Sequence, residues 1–257
     1  MESKQEIVQN WLPRYTGTEL EDFGSHILLT NFSEYMEKFS ARFGAPIRGI
    51  NRPMQTCTNS AGLTMINFGI GSANAATIMD LLTAVNPSGV LFLGKCGGAK
   101  RSTEIGHFIL PVAAIRGEGT SDDYLDPMVP ALPSFKLHKF VSQKIVESGT
   151  EYRTGVVYTT NRRVWEHDEE FKAKLHRMRV TGIDMETATI FTVGFINDIA
   201  RGALLMVSDK PMTPEGVKTE SSDKHVSSKY VDIHIDVGIE AMTEIGTKGE
   251  KIKHFHF

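Results

Sequence analysis

The sequence predicts a single α/β domain built on a largely buried, mixed β-sheet. Three observations predict it. Short continuous apolar runs bounded by turn residues, such as His26–Thr30 and Gly202–Val207, read as buried strands. They alternate along the chain with segments whose apolar residues recur at helical spacing. No Pro/Gly/Ser-rich linker, composition break or internal repeat divides the series. With 257 residues, 40% of them hydrophobic, the chain can bury a core without staples. Its 28 Lys+Arg against 31 Asp+Glu leave a net charge of −3, too even to advertise a nucleic-acid or anionic-membrane partner. Cys57 and Cys96 are the only two cysteines, too few for a structural zinc site or a disulfide framework, so reduced, packed thiols and no metal or cofactor are expected. Neither a signal-like apolar segment near the start nor a run of about 18 apolar residues occurs. A cytoplasmic chain is therefore expected.

Residues 1–24 are expected to be an extension that covers the body. Ile7, Val8, Trp11 and Leu12 form a short amphipathic opening ended by Pro13, too short for a separate regulatory domain. The catalytic domain is then 25–257. His26–Thr30 reads as a strand, and Ser33 opens a helix carrying Tyr35, Met36, Phe39 and Phe43 on one face. Short strands joined by tight turns fill Pro46–Phe68. Ser72 caps a helix bearing Ile78, Leu81, Leu82 and Val85, which Pro87 stops. Gly89–Leu93 is a buried strand leading into the glycine-rich turn Gly94-Lys95-Cys96-Gly97-Gly98. Beyond it the alternation continues with a strand over His107–Ile115, a helix over Ser134–Glu147, a strand over Arg153–Tyr158 and a helix over Glu169–Arg179. Asp184–Ile199 reads as an apolar helix, Gly202–Val207 as a strand and Val226–Ile245 as a long final helix. Residues 116–133 form the longest stretch without periodicity, and a loop of that length is expected to be functional or lid-like.

Several places can carry chemistry. Gly69-Ile70-Gly71 ends a strand and opens a helix, but the third glycine of a dinucleotide fingerprint is missing. What remains is a helix N-terminus able to face an anion or a sugar. Lys95 and Gly97 follow a buried strand, where open α/β sheets gather their ligands. Asp184 and Glu186 place two carboxylates in apolar surroundings, which is costly without partners. An anion at a helix N-terminus accounts for Asp184 more readily than for Glu186. Asp209 ends the buried strand Gly202–Val207 in the same manner. Glu220–His225 is expected to be a solvated loop, His254–Phe257 a tail rather than a metal site, and His234 a satisfied helix histidine.

In this order, GIGSANAA, LFLGKCGG, IRGEGTSDDYL, GIDMETATIF and LLMVSDKP resemble the nucleoside phosphorylase and nucleosidase superfamily of the trimer/hexamer type, over residues 25–245. The resemblance implies a three-layer fold with helices flanking the mixed sheet. The segment Ser208–Asp223 followed by Tyr230–His234 looks most like the AMP-cleaving nucleosidases, which implies AMP as the small-molecule partner. Carried over, Glu186 accepts from the ribose hydroxyls, Met185 packs on the sugar, Asp209 faces purine N7 and Tyr158 stacks on the base. Arg48 reaches a neighbouring subunit's phosphate site, so a homohexamer is implied. Two departures concern the nucleophile. Tyr35 and Phe92 stand where phosphorylases of this family carry arginines for the attacking phosphate. Charge-assisted hydrogen bonds contribute about 1.5–3 kcal/mol each, so water is the expected nucleophile, with Glu34 or Glu37 as its base. Arg48, Lys95 and the lysines of the 210–218 loop remain for the substrate's own phosphate, and Gly71 and Gly97 are expected to let the backbone approach the substrate. The competing expectations are a purine nucleoside phosphorylase with an altered phosphate site and a nucleotide sensor without catalysis.

Overall fold

Alternation along the central strands sorts the core into two layers. The structure is a computed structural model and describes residues 2–213, 216 and 220–248, of which 220–228 and 248 are described by backbone alone. Its elements are α1 (Lys4–Thr16), β1 (His26–Thr30), α2 (Ser33–Phe43), β2 (Gln55–Thr58), β3 (Leu63–Asn67), α3 (Ser72–Leu81), β4 (Gly89–Gly98), β5 (Phe108–Gly117), α4 (Phe135–Glu147), β6 (Tyr152–Thr160), α5 (Glu169–Arg177), β7 (Gly182–Asp184), α6 (Thr187–Ile196), β8 (Arg201–Asp209) and α7 (Glu220–Lys248). On one face of the sheet Ile27, Leu29, Val90, Phe92, Ala203 and Leu205 pack against α1, α3 and α6. On the other face Leu28, Leu91, Leu93, Leu204 and Met206 pack against α2, α4 and α7. Period-two alternation in runs that are apolar throughout is what a sheet covered on both sides requires. The expected three-layer α/β fold is therefore the observed one.

The sheet runs β2-β3-β1-β4-β7-β6-β5-β8, and β8 returns to pair in parallel with β4. The strands from β4 to β8 thus close a ring. Strand β4 belongs at once to the open sheet, through its parallel pairing with β1, and to the ring. Among the described residues no helix is long and apolar enough to cross a membrane. Both cysteines are buried and unpaired.

Five expectations change. Helix α1 continues through Pro13 to Thr16, because Val8, Leu12 and Thr16 are buried and a Ser3/Glu6 capping box fixes its start. Tertiary burial there outweighs the hydrogen bond that proline removes. The segment Gly94–Gly98 is no turn: β4 runs through it to Gly98. Its glycines serve close approach, since a Cβ on Gly97 would lie 2.7 Å from Pro211 Cγ and one on Gly98 3.1 Å from Val207 Cγ1. Asp184 does not begin a helix but ends β7, whose Gly182 and Ile183 pair with β4 on one side and β6 on the other. The 116–133 stretch is no unstructured lid. It winds around the buried guanidinium of Arg116, which donates to the carbonyls of Ser121 (2.7 Å), Leu125 (2.6 Å), Asp126 (2.6 Å) and Val129 (3.1 Å). Finally, α7 begins at Glu220, so the backbone of the Glu220–His225 run is helical. The His254–Phe257 tail lies outside the described residues.

His234 of α7 is a satisfied core histidine, as expected. It is fully buried, and burial holds its pKa down at about 3. Its Nε2 donates to the Leu204 carbonyl (2.9 Å), which leaves Nδ1 to accept the Tyr35 hydroxyl (2.7 Å). Tyr35→Phe would strand that buried acceptor. The variant should lose about 1–3 kcal/mol, read as a lower urea midpoint at unchanged m-value; an unchanged midpoint would remove this bond from the stability of the fold.

Candidate active site

The C-terminal end of β4 is the meeting point. After a bulge between Cys96 and Gly97, Gly97 stands opposite Asp209 of β8 on one side and opposite Ile183 of β7 on the other. Three strand ends therefore deliver their last residues to one place. A cleft of about 350 Å³ opens there, lined among others by Asn31, Lys95, Gly97, Asp184, Met185, Glu186 and Asp209.

Glu186 is only 2% exposed. Its Oε1 accepts the Gly71 N–H (2.8 Å) and its Oε2 the Met185 N–H (3.3 Å). Gly71 precedes α3 at φ 98°, a region that favours glycine. The Ser72 hydroxyl in turn donates to the Met185 carbonyl (2.7 Å), locking the turn before α3 to the turn before α6. The helix N-terminus expected to face an anion thus faces a carboxyl of the chain itself.

Asp184, buried beside it, has a different place. It accepts from the hydroxyls of Thr159 (2.7 Å) and Thr187 (2.6 Å) and from the N–H groups of Thr187 (2.7 Å) and Glu186 (3.1 Å). Burial pushes both carboxyls above the ordinary carboxylate range. Four donors oppose that push at Asp184. Glu186 has fewer donors and also lies in the field of Asp184, so burial first and that charge second drive it up to about 8. Cys96, buried among the same acids, has its thiol pushed well up, first by burial and then by Asp184 and Asp209. It is poorly suited to act as a nucleophile.

Asp209 is partly exposed to the cleft and accepts the Ser208 hydroxyl at 2.6 Å. The Lys95 ammonium lies 4.6 Å from the centre of the Phe32 ring. Sequence reasoning missed four lining residues that follow β6: Arg162, Arg163, Trp165 and Glu166. Arg162 pairs with Asp168 (2.8 Å) and Arg163 with Glu166 (3.4 Å). The adjacent arginines just past a strand were the available signal.

Other expected residues lie elsewhere. Tyr158 does not line the cleft but is buried against Phe171, with its hydroxyl accepting from Lys174 (3.3 Å). Trp165, which packs on the same Phe171, is the aromatic residue that does line it. Arg48 is exposed, outside the cleft of its own chain, and ion-paired with Asp22. Glu34 is half-buried and Glu37 exposed, and neither lines the cleft. Tyr35 and Phe92 are fully buried, so neither supplies a cation. Lys210 pairs with Glu104 (2.8 Å) and lines a separate cavity, and Lys218 lies outside the described residues.

A ring-closed α/β sheet with paired acids at its strand ends defines the class. The model of the phosphorylase superfamily matches residues 25–234, and the chain belongs to that family. Within it, the chain is similar to the structure of AMP nucleosidase from Bacteroides thetaiotaomicron VPI-5482, at 50% identity over 96% of this chain and 99% of that one, with a TM-score of 0.86. It is also 29% identical to AMP nucleosidase of Escherichia coli (strain K12) over 94% of its length, but it spans only 59% of that protein. Purine nucleoside phosphorylase from Toxoplasma gondii, at 16% identity and a TM-score of 0.79, covering 90% of this chain and 95% of that one, shares the fold.

The raised Glu186 makes stability depend on pH. A carboxyl that binds its proton more tightly folded than unfolded adds its full share below its ordinary value of 4.5 and loses it as pH rises through about 8. Glu186→Gln lacks this titration. Its Tm advantage over the parent should therefore grow by about 2 °C or more between pH 5 and pH 9; a difference constant across that range would show that Glu186 does not carry the shifted proton.

Proposed function

We propose that the chain hydrolyses the N-glycosidic bond of AMP to adenine and ribose 5-phosphate. The observation that carries this reading is the pairing of Glu186, clamped by two backbone N–H groups, with Asp209 across Gly97 in one cleft. The similarity to AMP nucleosidases supports AMP as substrate. Glu186 holds the ribose hydroxyls, with Met185 against the sugar. Asp209 faces N7 of the base and supplies a proton there as the C1′–N9 bond breaks and its electron pair moves onto the purine. Water adds to C1′ of the oxocarbenium-like ribose and releases one proton to solvent. Lys95, Arg162 and Arg163 are the cleft's cations and take the 5′-phosphate. The absence of a cation at Tyr35 and Phe92, both in the core, supports water over phosphate as nucleophile.

The reading extends to residues 25–257 as the catalytic unit with 1–24 as an extension, in a cytoplasmic homohexamer. In that hexamer Arg48 serves a neighbour's site, a reading its exposure outside its own cleft supports.

The decisive assay incubates the protein with AMP, adenosine and inosine, with and without inorganic phosphate, and measures free base. AMP should be cleaved at a rate phosphate does not increase. Phosphate-dependent cleavage of the nucleosides with AMP inert would make the protein a purine nucleoside phosphorylase. Binding of AMP without turnover would make it a sensor. At the residue level, Asp209→Asn should lower kcat by about 10²-fold or more with KM little changed, since N7 protonation acts chiefly in the transition state. Unchanged kcat would take Asp209 out of the chemistry.

A further inference from the structure

Among the described residues that line the cleft, only Asn31 carries a buried side-chain polar atom without a hydrogen-bond partner, its Oδ1. The amide nitrogen of the same side chain is engaged, donating to Glu186. A buried acceptor left without a donor is unfavourable, and inside a ligand cleft it calls for a donor from what the cleft holds.

A capping role does not account for Asn31. Asparagine just before a helix commonly accepts from the first N–H groups, but α2 is capped at Phe32 with no side-chain hydrogen bond. The Phe32 N–H goes instead to the Thr30 hydroxyl (3.4 Å). The turn that carries Asn31 is nevertheless well fixed. Phe32 packs on the buried Tyr35 with ring centres 5.7 Å apart, and the Lys95 ammonium covers its ring.

Strand pairing defines where this acceptor stands. Strand β8 follows one edge of β4 from Val90 to Gly97. The opposite edge is taken first by β1, as far as Phe92, and then by β7, from Gly97 onward. Asn31, just past β1, and Glu186, just past β7, meet at the gap between those two stretches. Asp209 ends β8 and therefore lies across β4 from both. Other acceptors of the cleft are committed. Asp184 accepts from four donors, the Ser208 hydroxyl donates to Asp209, and Glu166 accepts from Arg163 and from the Trp165 N–H (3.0 Å).

We infer that Asn31 is a further catalytic residue, whose Oδ1 holds the attacking water. The role rests on AMP hydrolysis being the reaction in the cleft. Water and the departing base occupy opposite sides of C1′. With the base at Asp209 beyond one edge of β4, the place of the water is toward the other edge, where Asn31 stands. One water O–H donates to Oδ1, and a lone pair is left facing C1′. As the C1′–O bond forms, the C1′–N9 pair leaves with the purine, the proton of Asp209 goes to N7, and the water gives one proton to solvent. The carboxamide takes up no proton. Tyr35 and Phe92 bear on which nucleophile attacks, Asn31 on where it stands.

Steady-state kinetics of Asn31→Ala with AMP, followed by analysis of the sugar product in dilute methanol, test this role. The variant should lose about 10²-fold in kcat, while KM for AMP stays within about threefold. In methanol, the share of methyl riboside 5-phosphate over ribose 5-phosphate should rise by about threefold or more, because water is no longer held in the preferred place. Action through Glu186 alone would raise KM and leave that share unchanged. Circular dichroism and Tm verify folding; should Asn31→Ala not fold, Asn31→Ser also withdraws the acceptor and gives the same readouts. A parent protein that releases no adenine from AMP overturns the hydrolytic reading and this role with it. If the parent is active, an unchanged kcat, a loss expressed in KM, or an unchanged product share overturns the role of Asn31 alone.

Discussion

Two carboxylates, Asp184 and Glu186, are buried at the junction of β7 and α6, and the local structure follows from how their charge is accommodated. Burying an ionised carboxylate without partners costs several kcal/mol. Asp184 is matched by four donors from Thr159, Glu186 and Thr187, which together fix the end of β6 and the start of α6. Glu186 is matched by the N–H groups of Gly71 and Met185, which fix the start of α3 against the same turn. Asp184 is thereby spent on structure, while Glu186 keeps its remaining acceptor capacity toward the cleft. Because Asp184 is held in place, its field on Glu186 is a permanent part of the site.

The ring in the sheet makes this arrangement possible. An open sheet would leave β8 on an edge, separated from β4 by β7, β6 and β5. Closure through β4 brings Ile183 and Asp209 to the two sides of one glycine. Gly97 tolerates that crowding because it has no Cβ; any side chain there would press into Pro211. The glycines of β4 are therefore part of the packing of the ring, and their service to a ligand is secondary to it.

The sequence made the strands and most helices legible, because buried strands are apolar throughout and surface helices carry their period plainly. Lys95, Gly97, Glu186 and Asp209, which the structure brings to one cleft, stand out in the sequence because each is charged or glycine beside an apolar run, whereas Met185 is marked only by the family resemblance. What stayed hidden depends on long-range pairing. Three residues, Gly182–Asp184, cannot announce a strand; only β4 and β6 make them one. Arg116 reads as an ordinary surface cation until the loop carbonyls close around it. Tyr158 and Trp165 are both aromatic and both near a strand end. Which of the two lines the cleft is decided by the position of Phe171 between them, a tertiary fact without a local trace.

The nucleophile under the proposed reaction is likewise set by packing and not by one side chain. Where the family resemblance leads one to expect an arginine, Tyr35 fills the core, and its hydroxyl is held by His234, which is itself held by the Leu204 carbonyl. Helix α2, helix α7 and strand β8 thus meet through one hydrogen-bonded chain. A guanidinium at position 35 would have to be desolvated in a fully buried site, beside a histidine that burial keeps neutral. Phe92, packed edge-on to Phe68, closes the second position in the same manner. Restoring a phosphate site would require rebuilding two core layers on opposite faces of the sheet, since Tyr35 belongs to one and Phe92 to the other. Under the proposed hydrolysis, the preference for water over phosphate rests on the packing of the fold's interior rather than on one side chain of the cleft.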